Sequence, residues 1–348
     1  MSVVRMTTAL LDEAYDRLRH TGPERSGWLS NHAPMAVECL ARHGHGDDLH
    51  RWLDGYADRL EERPRGIARI TADGWRDPLG DPVRTGDWLD HFERELAGEP
   101  WRTVLARWWP RLLPGIAAGA THGVIRVGHA VRALLDAETP PRVTELGHGL
   151  AYWAARWQPL AAPGAGPYPA TDPRSALDAV PRVPDQRHGI RARLAQLADL
   201  PGWPAVAGAV PGDPAGSVPA RLAAVVDAAV VRYGGHGYAD PVMLVHAATV
   251  PNAVLRTLPA LPATLWVPSL AAAWAATAAV TAAYAPARAR TAPVARAGTG
   301  VRDLVDRAAA SGDPHVIKFV DTAIDTYHRG GGTATLAVAD RAIDDITG

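Results

Sequence analysis

Lys318 is the only lysine among 348 residues, in a chain whose Lys and Arg together number 36. It stands in Asp313-Pro314-His315-Val316-Ile317-Lys318-Phe319, between apolar neighbours at the start of a predicted helix. An arginine guanidinium stays protonated in a protein, whereas a buried amine can lose its proton. A chain that uses arginine everywhere else, yet sets an amine one turn after a histidine, points to chemistry that needs a neutral amine. The competing explanation is one lysine surviving in a composition biased toward Arg, Ala, Gly and Pro.

The histidines tip the balance. There are 14, and most are accounted for by their surroundings. His43, His45, His50 and His91 lie among charged residues or glycines and read as solvated. His20, His188 and His328 fall near predicted helix ends, where imidazoles meet terminal carbonyls. His236, in Gly234-Gly235-His236-Gly237-Tyr238, reads as part of a flexible turn. His32, His122, His246 and His315 instead stand in apolar helical surroundings, each explicable alone as a hydrogen-bonded core histidine. Several buried imidazoles together need polar partners or a metal, so the four suggest one shared polar centre.

Spacing adds detail. His315 and Lys318, three apart on a helix, aim at the same point. His122 and His129 share a face but are separated by about 10 Å along the axis. That is wide for one metal, so His129 is assigned to a supporting contact or a substrate pocket. Gly119, Gly123 and Gly128 thin this helix, admitting another helix or a flat ligand. Arg126 projects from it and needs a carboxylate or an anionic substrate oxygen.

The elements that must carry these residues are helical. Ala9, Leu10, Ala14 and Leu18 lie on roughly one face. Asn31 is a suitable N-cap, with Pro34 in the first turn of the next helix. Further helices are expected near 47–61, 84–97, 100–109, 115–137, 142–158, 186–199, 218–233, 239–257, 264–285, 299–310, 313–328 and 333–346. Periodicity vanishes in the Pro/Gly-rich stretches 160–184 and 201–219, read as long surface connections. No alternating run of convincing length is found, so the expectation is an all-α fold, one large helical-bundle domain over 1–348.

Composition bounds the function. Hydrophobic residues make up 47%, charged residues 21%, and the net charge is −1. This gives no general preference for nucleic acid or an anionic membrane. The lone Cys39, read as a buried thiol, excludes an internal disulfide framework and Cys-rich zinc motifs. Residues 261–285 approach the length of a membrane span, but Pro262, Pro268, Thr277 and Thr281 interrupt them, so a core helix packed on all sides is expected. With no export signal recognised, a cytoplasmic protein is expected; the oligomeric state is not determined.

Four islands resemble a known family: Asn31-His32-Ala33-Pro34-Met35, Thr121-His122-Gly123-Val124-Ile125-Arg126-Val127-Gly128-His129, Val245-His246-Ala247 and His315-Val316-Ile317-Lys318. In this order they are similar to the questin oxidase-like family, whose fungal members act on anthraquinones in aromatic polyketide pathways. The resemblance implies an all-helical oxygenase that uses O2 to cleave or oxygenate a small aromatic substrate. Some members resemble NADPH-requiring Baeyer–Villiger-type oxidases. A related ring-cleaving member resembles a mononuclear non-haem iron dioxygenase with several histidines and a carboxylated lysine. By matching motif, the resemblance implies His32, His122, His246, His315 and Lys318 as ligands of Fe(2+) or another divalent metal, and NADPH as a possible reductant. Arg126 stands where fungal members tend to have a second histidine, and His129 where they tend to have an aromatic residue. Both are assigned here to orienting or polarising the substrate.

The carbamate explains the lone amine. A neutral ε-amine adds CO2 to become an anionic oxygen ligand, and burial favours the neutral amine that this requires. Imidazole with such a ligand suits iron(II).

Two rival classes are weighed. A di-iron carboxylate bundle would use Glu145-Leu146-Gly147-His148, whose Glu-x-x-His spacing fits, with Asp325-Thr326-Tyr327-His328 a poor second. A non-enzymatic helical protein would line a ligand cavity with some of its 12 Trp, set against 2 Phe. Trp108, Trp109, Trp153, Trp157, Trp266 and Trp274 nevertheless follow helical patterns typical of a core. Gly330-Gly331-Gly332 has no preceding strand and so lacks the context of a phosphate loop.

Overall fold

The computed structural model describes residues 3–164, 171–213, 216–296 and 298–348, with side chains from residue 9. It is predominantly α-helical, as the periodicity predicts. The chain divides into two compact units, residues 1–159 with 256–262, and residues 160–255 with 263–348.

In the first unit the helices are Val3–Leu18, Ala33–Arg42, Leu49–Ala57, Thr85–Gly98, Trp101–Leu112, His122–Asp136 and Pro140–Ala155. The last two form its centre. Pro140 enters at the start of its helix, where a missing N–H costs nothing. Arg142 then reaches back, donating from Nη1 to the Ala133 and Ala137 carbonyls at 2.7 and 3.3 Å. It thereby satisfies the orphaned end of the preceding helix. The helix expected from 115 begins only at His122, after a short 3-10 turn at Leu113–Gly115.

Of the glycines expected to admit a helix or a flat ligand, Gly119 and Gly123 admit aromatic side chains of the neighbouring helix, Tyr152 and Trp153. A Cβ on Gly123 would lie 2.8 Å from Trp153 Cγ and 2.9 Å from its Cα. Trp108, Trp109 and Trp153 are core residues, as their helical spacing predicts.

A small antiparallel sheet was not foreseen. Thr21–Arg25 pairs on one side with Leu29–Ser30 and on the other with Leu60–Glu62. Its strands are too short to show alternation in the sequence. The hairpin delivers the chain to Asn31, whose amide donates to the Gly22 carbonyl at 3.2 Å. Asn31 Oδ1 accepts the Ala33 N–H at 2.9 Å, so Asn31 still serves the helix start, although the boundary falls one residue later, at His32.

In the second unit, Pro314–Thr326 packs against Val301–Ser311, Val218–His236 and Thr333–Thr347. Gly312, at φ 67°, ends one helix in the left-handed conformation that suits glycine. Asp313 then caps the next, accepting the His315 and Val316 N–H groups at 2.7 and 3.3 Å. The expected 239–257 helix is split into Pro241–Leu244 and His246–Thr257.

Trp266–Tyr284 is buried all round only from about Ser269. Its first turn is open, with Val267 64% exposed, which corrects the expectation of a helix packed on all sides. Ala263–Tyr284 is long and apolar enough to cross a membrane, and half of that window is buried.

The Pro/Gly-rich stretches are more ordered than expected. Pro173–Asp178 and Trp203–Gly208 are short helices within them, and Leu177, Val183 and Trp203 are buried. Residues 165–170 and 214–215 of these stretches lie outside the described residues.

Replacing Gly123 by Ala drives a methyl group into Trp153 backbone and ring. The expected loss is about 1–3 kcal/mol in urea denaturation, with the helical circular dichroism of the folded state unchanged.

Candidate functional site

In the first unit, His32 and His122 face one another edge-on, ring centroids 4.4 Å apart at 72°. Both are buried. His32 Nδ1 lies 2.5 Å from the Ser30 carbonyl, and His122 Nδ1 2.7 Å from the Gly119 carbonyl. A carbonyl only accepts, so each Nδ1 carries the proton and each lone pair is on Nε2.

In the second unit, His246 and His315 stand with centroids 5.7 Å apart at 71°. His246 Nδ1 donates to the Met243 carbonyl at 3.0 Å, and His315 Nδ1 lies 3.4 Å from Asp313 Oδ1. Lys318 is 0% exposed, one turn from His315 on the same helix. Burial first, then Lys318 and His315, holds the His246 imidazole well below its usual range.

His32, His122 and His246 are therefore of one kind, each giving Nδ1–H to a carbonyl, while His315 turns its Nδ1 toward a carboxylate. Metal-ligating histidines are oriented in this way, because the outer hydrogen bond sets both tautomer and ring direction. Imidazole nitrogens are donors suited to iron(II) or zinc. The residues in each unit fit the group that the resemblance implies.

Arg126 has found the carboxylate that its position demanded. Its Nε and Nη2 donate to the two Glu145 oxygens at 2.6 and 2.7 Å, with both residues buried. Arg126 Nη1 and His148 Nε2 are buried with no hydrogen-bond partner among the described residues. Because a guanidinium occupies both oxygens of Glu145, the di-iron reading loses its main ligand. His328, in its second motif, is exposed on a π-helical turn.

His129 belongs to a cluster with Glu38, Cys39 and Arg132. Its Nδ1 donates to Glu38 Oε2 at 2.7 Å, and Arg132 Nε donates to Glu38 Oε1 at 2.7 Å. Ligand atoms of Glu38, Cys39 and His129 lie within 4.8 Å of one another. Arg132 is nevertheless paired with that carboxylate and sits 3.9 Å from Cys39 Sγ, taking the place a cation would fill. Arg256 Nη1 stands 3.5 Å from His129 Nε2. Burial opposes charge on Glu38, but Arg132 and His129 outweigh it and bring the carboxyl down to about 2. Burial takes the His129 imidazole down to about 4, with Arg256 and Arg132 adding to it against Glu38.

Glu38 and Arg132 escaped the sequence reading. The available signal was a glutamate inside Ala36-Val37-Glu38-Cys39-Leu40, on the apolar stripe of its helix, and an arginine one turn after His129. His91 corrects another expectation. It is buried against Trp88, Phe92 and Trp108 rather than solvated. His236 closes the helix Val218–His236, its Nδ1 3.1 Å from the Arg232 carbonyl, and is not in a flexible turn.

The cluster makes stability acid-sensitive. Unfolded histidine titrates near 6.5, folded His129 near 4, so the unfolded state binds the extra proton between these values. Stability from His129 is complete above about pH 6.5 and falls as pH drops to about 4. Glu38 adds a further loss from about 4.5 down to about 2. Urea titrations should show a decline on the order of 3 kcal/mol between pH 6.5 and 4 that His129→Gln removes. An unchanged slope in that variant would contradict the assignment.

No curated protein matches the chain. The islands around His32 and around His122 to His129 lie within residues 29–137, whereas those around His246 and Lys318 lie beyond. Residues 29–137 match the model of the questin oxidase-like family, which is what this part of the chain is similar to.

Proposed function

We propose that this protein is an O2-dependent oxidoreductase that oxygenates or cleaves a small aromatic substrate of the polyketide or anthraquinone type. The questin oxidase-like match over residues 29–137 suggests an oxidoreductase. One observation carries the finer reading. In each unit taken by itself, buried imidazoles give Nδ1 to an oxygen and turn Nε2 into the donor atom. The proposal treats residues 1–348 as one functional domain and takes His32, His122, His246, His315 and Lys318 as ligands of a single metal, iron(II) in the first instance.

Bound iron(II) would supply a way around the spin barrier between O2 and a closed-shell organic molecule. The chain's own residues do the rest. The imidazoles of His32, His122 and His246 arrive already turned by their Nδ1 hydrogen bonds, which leaves Nε2 as the atom that would meet the metal. Lys318, buried one turn from His315, is proposed to add CO2 and release a proton, becoming an anionic oxygen donor. Arg126, held by Glu145, keeps Nη1 as a donor for a substrate oxygen. His129, neutral and fixed by Glu38, is proposed to orient the same substrate. NADPH enters only as a reductant allowed by the resemblance. Gly330 and Gly331 lie in the π-helical turn that follows the helix Pro314–Thr326, and Gly332 ends it, which is not the strand-led setting of a phosphate loop.

Metal analysis of protein loaded anaerobically with Fe(II) should give about one atom per chain; two would favour a di-iron centre. Lys318→Arg should abolish loading and turnover of a hydroxyanthraquinone while leaving helical circular dichroism intact. His32→Ala and His246→Ala should each lower iron content at least tenfold. Full loading and activity in Lys318→Arg would overturn the proposal, as would two independently filled metals in the histidine variants.

A further inference from the structure

His122 starts its helix from a turn of unusual conformation. Gly119, Ala120 and Thr121 have φ of 53°, 57° and 70°. Left-handed backbone is uncommon for residues with a Cβ, and for a β-branched threonine it is an outlier. Such conformations persist where the surroundings enforce them. Capping does not account for this one. The Thr121 side chain makes no cap hydrogen bond, and its buried Oγ1 has no partner among the described residues.

The enforcing group is Tyr152. A Cβ on Gly119 would lie 2.2 Å from Tyr152 Oη and 2.7 Å from Cζ, so the phenol ring rests on the bare Cα of this glycine. Tyr152 is 1% exposed on the helix that packs against His122–Asp136. What the turn delivers is the Gly119 carbonyl. It accepts both the His122 backbone N–H at 3.2 Å and His122 Nδ1 at 2.7 Å.

We propose that Tyr152 is a positioning residue for His122: its ring wedges the Gly119–Thr121 turn into the left-handed form, so that the Gly119 carbonyl holds the imidazole as the Nδ1–H tautomer. The inference rests on His122 being a metal ligand, but it names a residue with no ligand atom of its own. The device is local to the first unit and acts before any metal arrives.

The test uses the full chain labelled with ¹⁵N-histidine. Long-range ¹H–¹⁵N spectra of the metal-free protein read the His122 tautomer, and calorimetry with Co(II) reads affinity. Wild type should show Nδ1–H at His122. Tyr152→Leu and Gly119→Ala should each give a tautomer mixture and a 10–100-fold weaker Co(II) affinity. Because both act on one device, the double variant should lose no more than the worse single. Tyr152→Leu that keeps a single Nδ1–H tautomer, with affinity within twofold, would overturn the proposal. Should Gly119→Ala fail to fold, the same two readouts on Tyr152→Leu decide. Wild type that binds no Co(II) would sink the metal reading alone, since the tautomer comparison still tests the wedge.

Discussion

A neutral imidazole has one lone pair to offer, and what its other nitrogen donates to decides where that pair points. This constraint organises the candidate site. The Ser30, Gly119 and Met243 carbonyls and the Asp313 carboxylate each engage an Nδ1. Much local structure serves to present those oxygens. The short hairpin brings Ser30 and Asn31 to the head of a helix. Met243 lies beside the break between two helical segments, where its carbonyl meets His246 Nδ1. The Gly312-Asp313-Pro314 sequence stops one helix and starts the next so that His315 falls in its first turn.

Around this arrangement the first unit buries an unusual amount of charge. Glu38 with Arg132, and Arg126 with Glu145, are ion pairs removed from water. Such pairs gain little net stability against apolar replacements, yet breaking one strands a charge and is costly. They hold the helix carrying His122 and His129 to its two neighbours in one register. Arginine suits the task, since its fork meets both oxygens of a carboxylate and cannot be discharged. That chemistry explains why the buried cations of the first unit are guanidiniums, while the amine is reserved for the second.

The sequence makes some of this legible. The helical period announces an all-α chain, and the isolation of Lys318 and of four histidines in apolar runs marks residues that are in fact buried. Arg126 is recognisable as a buried cation in need of a partner, but not that the partner is Glu145, nineteen positions away. Glu38 and Arg132 are hidden because a single charge on an apolar stripe looks like an irregularity until its counterion is placed by tertiary packing. His91 misleads for the converse reason. Its charged sequence neighbours face solvent, while its own ring turns inward onto Trp88 and Trp108. The three-stranded sheet and the left-handed turn before His122 leave almost no trace, because both are imposed by contacts with distant residues rather than by local preference.

The burial of Lys318 also governs how the protein meets its chemical environment. Acylating, glycating and carbonyl reagents attack side chains through lysine amines, and enzymes that acetylate, methylate or tag proteins use the same handle. With one lysine in the chain and none of its surface open to water, no lysine amine is exposed to these reagents and enzymes.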